Sequence, residues 1–114
     1  MKYTTPLKEN YSFRRVYSKG KSAATPVMVL YVLPNGKPAN RFGITASTKL
    51  GGAVVRNKVK RRFREVYRLN EDVLRRGFDV VAVARTRSST AEFTELCRSF
   101  LALADRLGLL KKED

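Results

Sequence analysis

Between Lys49 and Arg68 the chain reads KLGGAVVRNKVKRRFREVYR, and the residue types in that stretch suit one chemistry, the gripping of phosphates. Arginine offers planar two-pronged donors and lysine a compact charge, and each phosphate neutralised in a nucleic acid releases condensed counterion. At 100° per residue, Val55, Val59, Phe63 and Val66 gather on one side of a helix, the side expected to bury against a sheet. Asn57, Lys60, Arg61, Arg64 and Arg68 fall on the opposite side, with Arg56 at the border and Lys49 and Lys58 adding charge nearby. Like charges three or four residues apart destabilise an isolated helix by about 0.2–0.5 kcal/mol per pair. Glu65 is the one acid close enough to relieve them. A solvated charged face is the bland alternative, but such faces usually mix signs, so a polyanion outside the protein is the expected counter-charge.

A second set of candidates is aromatic. Phe13, Tyr17 and Tyr31 accompany Arg14 and Arg15, and unpaired RNA bases stack on such rings beside a cationic track. For rings not yet placed, the core is the better expectation, and the sequence leaves their direction open. Gly51-Gly52, just before the basic helix, has two readings of equal weight: bare amides for an anion, or a tight connection. Cys97 lies within an apolar helical stripe and reads as packing rather than as a reactive thiol. With no histidine, no CxxC pair and acids scattered at Glu9, Asp72, Asp79 and Asp105, neither protein-centred hydrolysis nor a protein-bound metal or cofactor is expected.

The elements that must position these residues follow from periodicity. Asn10 suits an N-cap for a helix over Tyr11 to Lys19, with Gly20 as its stop. Val27 to Leu33 is a β-rich run, central or nearly so in a sheet. The turn formers Pro34 to Pro38, followed by the alternating Arg41 to Ser47, predict a β-hairpin with Phe42, Ile44 and Ala46 facing the core. A long helix is expected from Ala53 to about Arg76, ended by Gly77, and a strand over Phe78 to Ala84. Ser89-Thr90-Ala91-Glu92 has the spacing of a capping box before a last helix. That helix buries Phe93, Leu96, Cys97, Phe100, Ala104 and Leu107 and stops at Gly108, before the charged tail Lys111-Lys112-Glu113-Asp114. Residues 1–114 therefore predict one α+β domain, a single-domain α/β sandwich in the order αββ(β)αβα, with a mixed sheet covered by helices.

Composition bounds the function. In 114 residues, 24 Lys and Arg oppose 10 Asp and Glu, a formal charge of +14 that a free domain does not need for solubility. The chain is 43% hydrophobic, so it should fold first and bind a polyanion afterwards rather than remain disordered. A lone cysteine suits a reducing compartment. Met1 to Pro6 lacks a signal-peptide core, and Val27 to Leu33 is too short to span a bilayer, so a cytoplasmic chain with no membrane partner is expected.

The run from Lys49 to Arg64 resembles the signature of the bacterial ribonuclease P protein family, a K-x-G-x-AVxRNRxKRxxR-like pattern on a long helix. Gly51, Ala53, Val54, Arg56, Asn57, Lys60, Arg61 and Arg64 fit it. Lys58 stands where the family commonly has Arg, and Gly52 where it often has Asn. LKENYSFRRVYSKG, VLYVL, RFGITAST and GFDVVAVAR extend the resemblance along nearly the whole chain. It implies that the basic helix binds a catalytic RNA subunit, one protein to one RNA. It also implies that Phe13, Arg14, Tyr17 and Tyr31 line a cleft for the single-stranded 5′ leader of precursor tRNA. The RNA would carry out endonucleolytic cleavage with Mg2+ that it mainly holds itself, the protein alone being inactive. A left-handed β-α-β crossover is likewise implied. The rival readings are a ribosomal or RNA-chaperone module, or a DNA-binding protein using the Ala53 helix in a major groove; a membrane-surface role fits least, because the apolar face of that helix is needed by the core.

Overall fold

Strong β-formers with burial on both sides make the strand run the scaffold of the molecule, which is a computed structural model describing residues 1–112. Glu113 and Asp114, the acidic end of the tail, lie outside the described residues. The strands are β1 (Thr4–Pro6), β2 (Lys21–Ala24), β3 (Met28–Pro34), β4 (Asn40–Thr45) and β5 (Phe78–Ala84); the helices are α1 (Asn10–Lys19), α2 (Ala53–Asn70) and α3 (Phe93–Arg106). They form one mixed sheet in the order β1-β4-β5-β3-β2. β2 with β3 and β3 with β5 run antiparallel, whereas β4 with β5 and β1 with β4 run parallel. The α+β sandwich is as expected, with three strands between α1 and α2 as the optional strand allowed, and β1, before α1, is the strand the expected order lacks.

The hairpin is not. β3 and β4 flank β5 on opposite sides, so the Pro34 to Pro38 turn leads to a separated strand rather than to a partner. β5 satisfies both backbones at once, pairing Val81 with Tyr31 on one side and with Gly43 on the other. Its nearly continuous apolar run is what a strand buried on both faces requires. β4, α2 and β5 make a parallel β-α-β unit, the unit to which the family resemblance attaches its left-handed crossover.

Even-numbered residues of β3, β4 and β5 face α2 and α3. There Leu30, Val32, Phe42, Val80 and Ala82 pack with Val59, Phe63, Val66, Leu96, Phe100 and Leu103. At ~1.5–3 kcal/mol for each large side chain removed from water, this layer dominates folding. Odd-numbered residues face α1 in a smaller layer of Val16, Val81 and Leu7, with Phe13, Tyr31 and Leu33 at its margin. The α2 stripe departs from its expected pattern at both ends. Val55 is 37% exposed, and Tyr67, fully buried, joins Val59, Phe63 and Val66. The Tyr67 hydroxyl accepts a bond from Asn40 Nδ2 at 3.2 Å and pairs with Thr4 at 2.8 Å, tying α2 to both strands of the parallel edge. Burial raises the Tyr67 hydroxyl's pKa against the lowering effect of these bonds.

Helix boundaries shift for physical reasons. α2 ends at Asn70, six residues before the expected Arg76, and a 3-10 turn over Glu71–Val73 follows. The Glu71 carboxylate leaves the helix direction to accept the Lys2 and Tyr3 amides at 2.7 and 3.1 Å. α1 has Glu9 rather than Asn10 at its cap, and Gly20 ends it in extended backbone. The capping box does not form. Ser89 belongs to a 3-10 turn, Thr86–Ser89, where its hydroxyl donates to the Thr86 carbonyl, and Glu92 caps α3 without a side-chain bond. α3 ends at Arg106, and Gly108, two residues on, takes the left-handed backbone conformation expected of a terminating glycine, at φ +73°.

Candidate nucleic-acid interface

A short first strand opens the site. β1 stops at Pro6, which pairs with Phe42, and one further bond from the Leu7 amide to the Phe42 carbonyl closes that edge. Beyond it, β4 runs on through Gly43, Ile44 and Thr45 with its outer edge uncovered. α1 stands over one side of this edge and α2 over the other, leaving a cleft of about 510 Å³ lined by Asn10, Phe13, Arg14, Tyr17, Ile44 and Lys60, among others. A second hollow of about 220 Å³ continues it past Phe13 and Gly43 to Lys60 and Arg64.

The floor is shaped by a missing side chain. A Cβ at Gly43 would lie 2.5 Å from the tip of the Phe13 ring and 3.2 Å from Leu7 Cβ, so only glycine lets that ring lie on the sheet. Phe13 and Tyr17, one helical turn apart, have ring centroids 6.4 Å apart, and Tyr31 meets Tyr17 edge-on at 5.0 Å. The Tyr17 hydroxyl is hydrogen-bonded to Thr45 Oγ1, which fixes the ring across the cleft. Tyr17 stays 37% exposed. Phe13, Arg14 and Tyr17 thus line the cleft, whereas Tyr31 sits one ring behind it.

On α2 the cations mostly stand free. Asn57, Lys58, Arg61 and Arg64 are exposed, and Lys60 is half-buried at the cleft wall. Among the described residues the ion pairs are Arg41 with Asp79, Arg68 with Glu65 and Arg87 with Glu95, and none uses Lys60, Arg61 or Arg64. Arg68 differs from them in that both its Nε and Nη2 donate to Glu65, an exposed pair within the helix. Arg56 is half-buried, with its Nε shielded and without a hydrogen-bond partner among the described residues. Lys49 is exposed on a 3-10 turn, Thr48–Leu50. Gly51 has φ +139°, which favours the connection reading for that glycine; at Gly52 a Cβ would meet nothing.

The structure joins what the sequence kept apart, since Lys60 and Arg64 of the basic helix also wall the aromatic cleft. It adds Asn10, Ile44, Thr45 and Gly43 to the site. Ile44 and Ala46 were expected to face the core; both are half-buried and pack on its margin while lining the cleft. Arg62, between two candidate cations, turns inward and donates to the Ser88 and Ala91 carbonyls at 3.3 and 2.6 Å, clasping the segment before α3. Only its position between the buried and outer faces could have signalled this.

Among the described residues no three His, Cys, Asp or Glu side chains converge. The deepest carboxylates are already committed. Burial alone would raise the Asp79 carboxyl, but bonds from Arg41 at 2.6 and 2.8 Å and from Asn35 at 3.0 Å outweigh it and hold the pKa down. Glu71 is likewise raised by burial and lowered further by Thr4 and the Lys2 and Tyr3 amides, with a net shift downward. Both carboxylates are thus already occupied by hydrogen-bond donors of the protein itself.

A mixed sheet between helices, with cations that have no acidic partner among the described residues beside an open aromatic cleft, defines a class: small basic α+β domains with a surface for nucleic acid. Comparison narrows the class. The Ribonuclease P family model matches residues 1–108. The ribonuclease P protein component of Natranaerobius thermophilus is 42% identical over 112 residues, covering 98% of this chain and 97% of the relative. That of Caldanaerobacter subterraneus is 43% identical over 110 residues, covering 96% and 95%. The Staphylococcus aureus RNase P protein structure superimposes with a TM-score of 0.83 at 30% identity, covering 93% of this chain and 97% of that one. The Thermotoga maritima protein gives 0.81 at 32% identity, covering 89% and 96%. The chain belongs to the ribonuclease P protein family.

Proposed function

We propose that this chain is the protein subunit of a bacterial ribonuclease P, bound one to one to the catalytic RNA and acting on precursor tRNA in the cytoplasm. Lys49, Arg56, Asn57, Lys58, Lys60, Arg61 and Arg64 dock on the RNA subunit, Arg68 contributing less because Glu65 already neutralises it. Phe13, Arg14 and Tyr17, with Tyr31 bracing Tyr17, receive the unpaired 5′ leader. The observation that carries this reading is that Lys60 and Arg64, free of acidic partners among the described residues, stand at the wall of the aromatic cleft.

The chemistry divides accordingly. The RNA subunit would hold the magnesium and would supply the hydrolytic chemistry. The protein screens repulsion between two polyanions and grips the leader. Base stacking on Phe13 and Tyr17, at roughly 1–3 kcal/mol per base, favours precursor over mature tRNA, which has no leader to stack. The leader's phosphates then pass between Arg14 on α1 and Lys60 on α2. The protein alone has no hydrolytic role in this scheme.

Reconstitution with a bacterial ribonuclease P RNA at low magnesium tests it. Faster release of the leader at the mature tRNA 5′ end, with no cleavage by protein alone, is the expected result. Unchanged cleavage by the RNA would return the chain to the RNA-chaperone reading.

A further inference from the structure

We infer that the end of the molecule formed by Lys19, Lys21, Arg75, Lys111 and Lys112 is a second docking point for the ribose-phosphate backbone of the RNA subunit. The inference rests on the reading that the protein docks on that RNA. Two adjoining hollows, of about 360 and 460 Å³, share Arg75. Lys19 and Lys21 border the first and Lys111 and Lys112 the second. None of the five takes part in an ion pair among the described residues.

Of these cations, Arg75 has its side chain held in place. Arg75 donates from Nη1 to the Gly108 carbonyl at 2.9 Å, and its guanidinium lies 5.2 Å from the Phe78 ring centroid. That fixes the fork while leaving its other nitrogens for an anion. The segment after α3 is pinned alongside: the Arg75 amide donates to Leu109 at 2.7 Å, the Lys111 amide donates to Val73 at 2.9 Å, and Leu74 bridges Leu110. Lys111 and Lys112 are therefore carried on anchored backbone beside Arg75. On the other flank, Lys19 ends α1 and Lys21 begins β2, on either side of Gly20.

The occupant is phosphate backbone and not an unpaired leader. The aromatic ring in this hollow, Phe78, carries Arg75 over its face, whereas the cleft keeps Tyr17 open for a base. Cations without a free stacking ring read backbone charge and no sequence. Folded RNA, which presents phosphates on a rigid surface, suits one fixed guanidinium with four lysines carried on neighbouring backbone at one end of the protein.

The test is binding of a bacterial ribonuclease P RNA to the full chain across a potassium chloride series, for wild type and for K21A/K111A/K112A. These three side chains are exposed and make no hydrogen bonds among the described residues, so the melting temperature should not fall. The slope of log affinity against log salt should become shallower by roughly 2 to 3, with preference of the assembled holoenzyme for precursor over mature tRNA unchanged. Arg75→Lys, which keeps charge but loses the fork, should weaken RNA binding less than the triple variant. K60A/R64A is measured in parallel. An unchanged slope in the triple variant, with K60A/R64A impaired, overturns this proposal and leaves the α2 interface standing. No effect in either overturns both. A loss of precursor preference without loss of RNA-subunit affinity would place the leader here and also overturn it.

Discussion

Lys60 and Arg64 sit where the two proposed tasks meet, and single substitutions separate them from their neighbours. Lys60→Ala or Arg64→Ala should weaken docking on the RNA subunit and also lower holoenzyme affinity for precursor, because each side chain walls the cleft as well as facing outward. Each loss should make the salt slope shallower by roughly 0.7–0.9. Arg68→Ala should change that slope less, since removing it frees Glu65 and exchanges an internal pair for an uncompensated acid. Equal slopes for Arg64→Ala and Arg68→Ala in a filter-binding salt series would contradict this ranking. Tyr31→Ala acts only through Tyr17, so precursor affinity falls while RNA-subunit affinity holds. The signature cations were legible in the sequence because charge at helical spacing needs no tertiary information. The Glu65 pairing was half visible at three residues' separation, and the inward turn of Arg62 was hidden because it depends on carbonyls 26 and 29 residues away.

Elements were read well where local periodicity decides and poorly where distant chain does. α1, β3, β5 and α3 appear close to their predicted places because their apolar patterns are strong. The hairpin failed because turn chemistry fixes a reversal, not a partner, and β5, more than thirty residues downstream, competes for both strands. The last turns of α2 yielded to the demand of the Lys2 and Tyr3 amides for Glu71. The cleft, too, is an element-level product: a three-residue β1 leaves the β4 edge open, and Gly43 lets α1 press Phe13 onto the sheet. Gly43→Ala should therefore push the Phe13 ring out of place, lowering leader affinity severalfold while RNA-subunit binding stays near wild type. A competition between precursor and mature tRNA reads this directly, and unaltered discrimination would remove Phe13 from the site. Arg62→Ala leaves the Ser88 and Ala91 carbonyls without their charged donor, and should cost ~1.5–3 kcal/mol in chemical denaturation. The damage should concentrate where α2 meets the segment before α3.

At the scale of the whole molecule, a formal charge of +14 strains the folded state, and two committed carboxylates resist it from within. Asp79 joins β5 to β4 through Arg41, and Glu71 joins the end of α2 to the chain leading into β1, so both brace the edge on which the cleft opens. Burial raises each pKa but hydrogen bonding and nearby positive charge prevail, leaving both below the usual carboxylate range. A depressed folded-state value means that the unfolded chain binds the proton more readily, so stability rises with pH through this region. The contribution is complete above the unfolded carboxylate range, near pH 4–5, and is lost as pH falls through the lower folded values. Acid also removes negative charge from a chain already repelling itself, which adds to the loss. Thermal unfolding followed by circular dichroism should show a plateau above about pH 5 and a fall below about pH 4. Asp79→Asn should lower stability at neutral pH by about 1–3 kcal/mol and flatten the acid limb, because the variant has no carboxylate there to protonate. Since the Asp79 oxygens are buried, salt should restore little of that difference. A variant that kept the wild-type acid limb would show that the +14 charge alone governs acid unfolding, with the ion pair under the sheet contributing nothing to it.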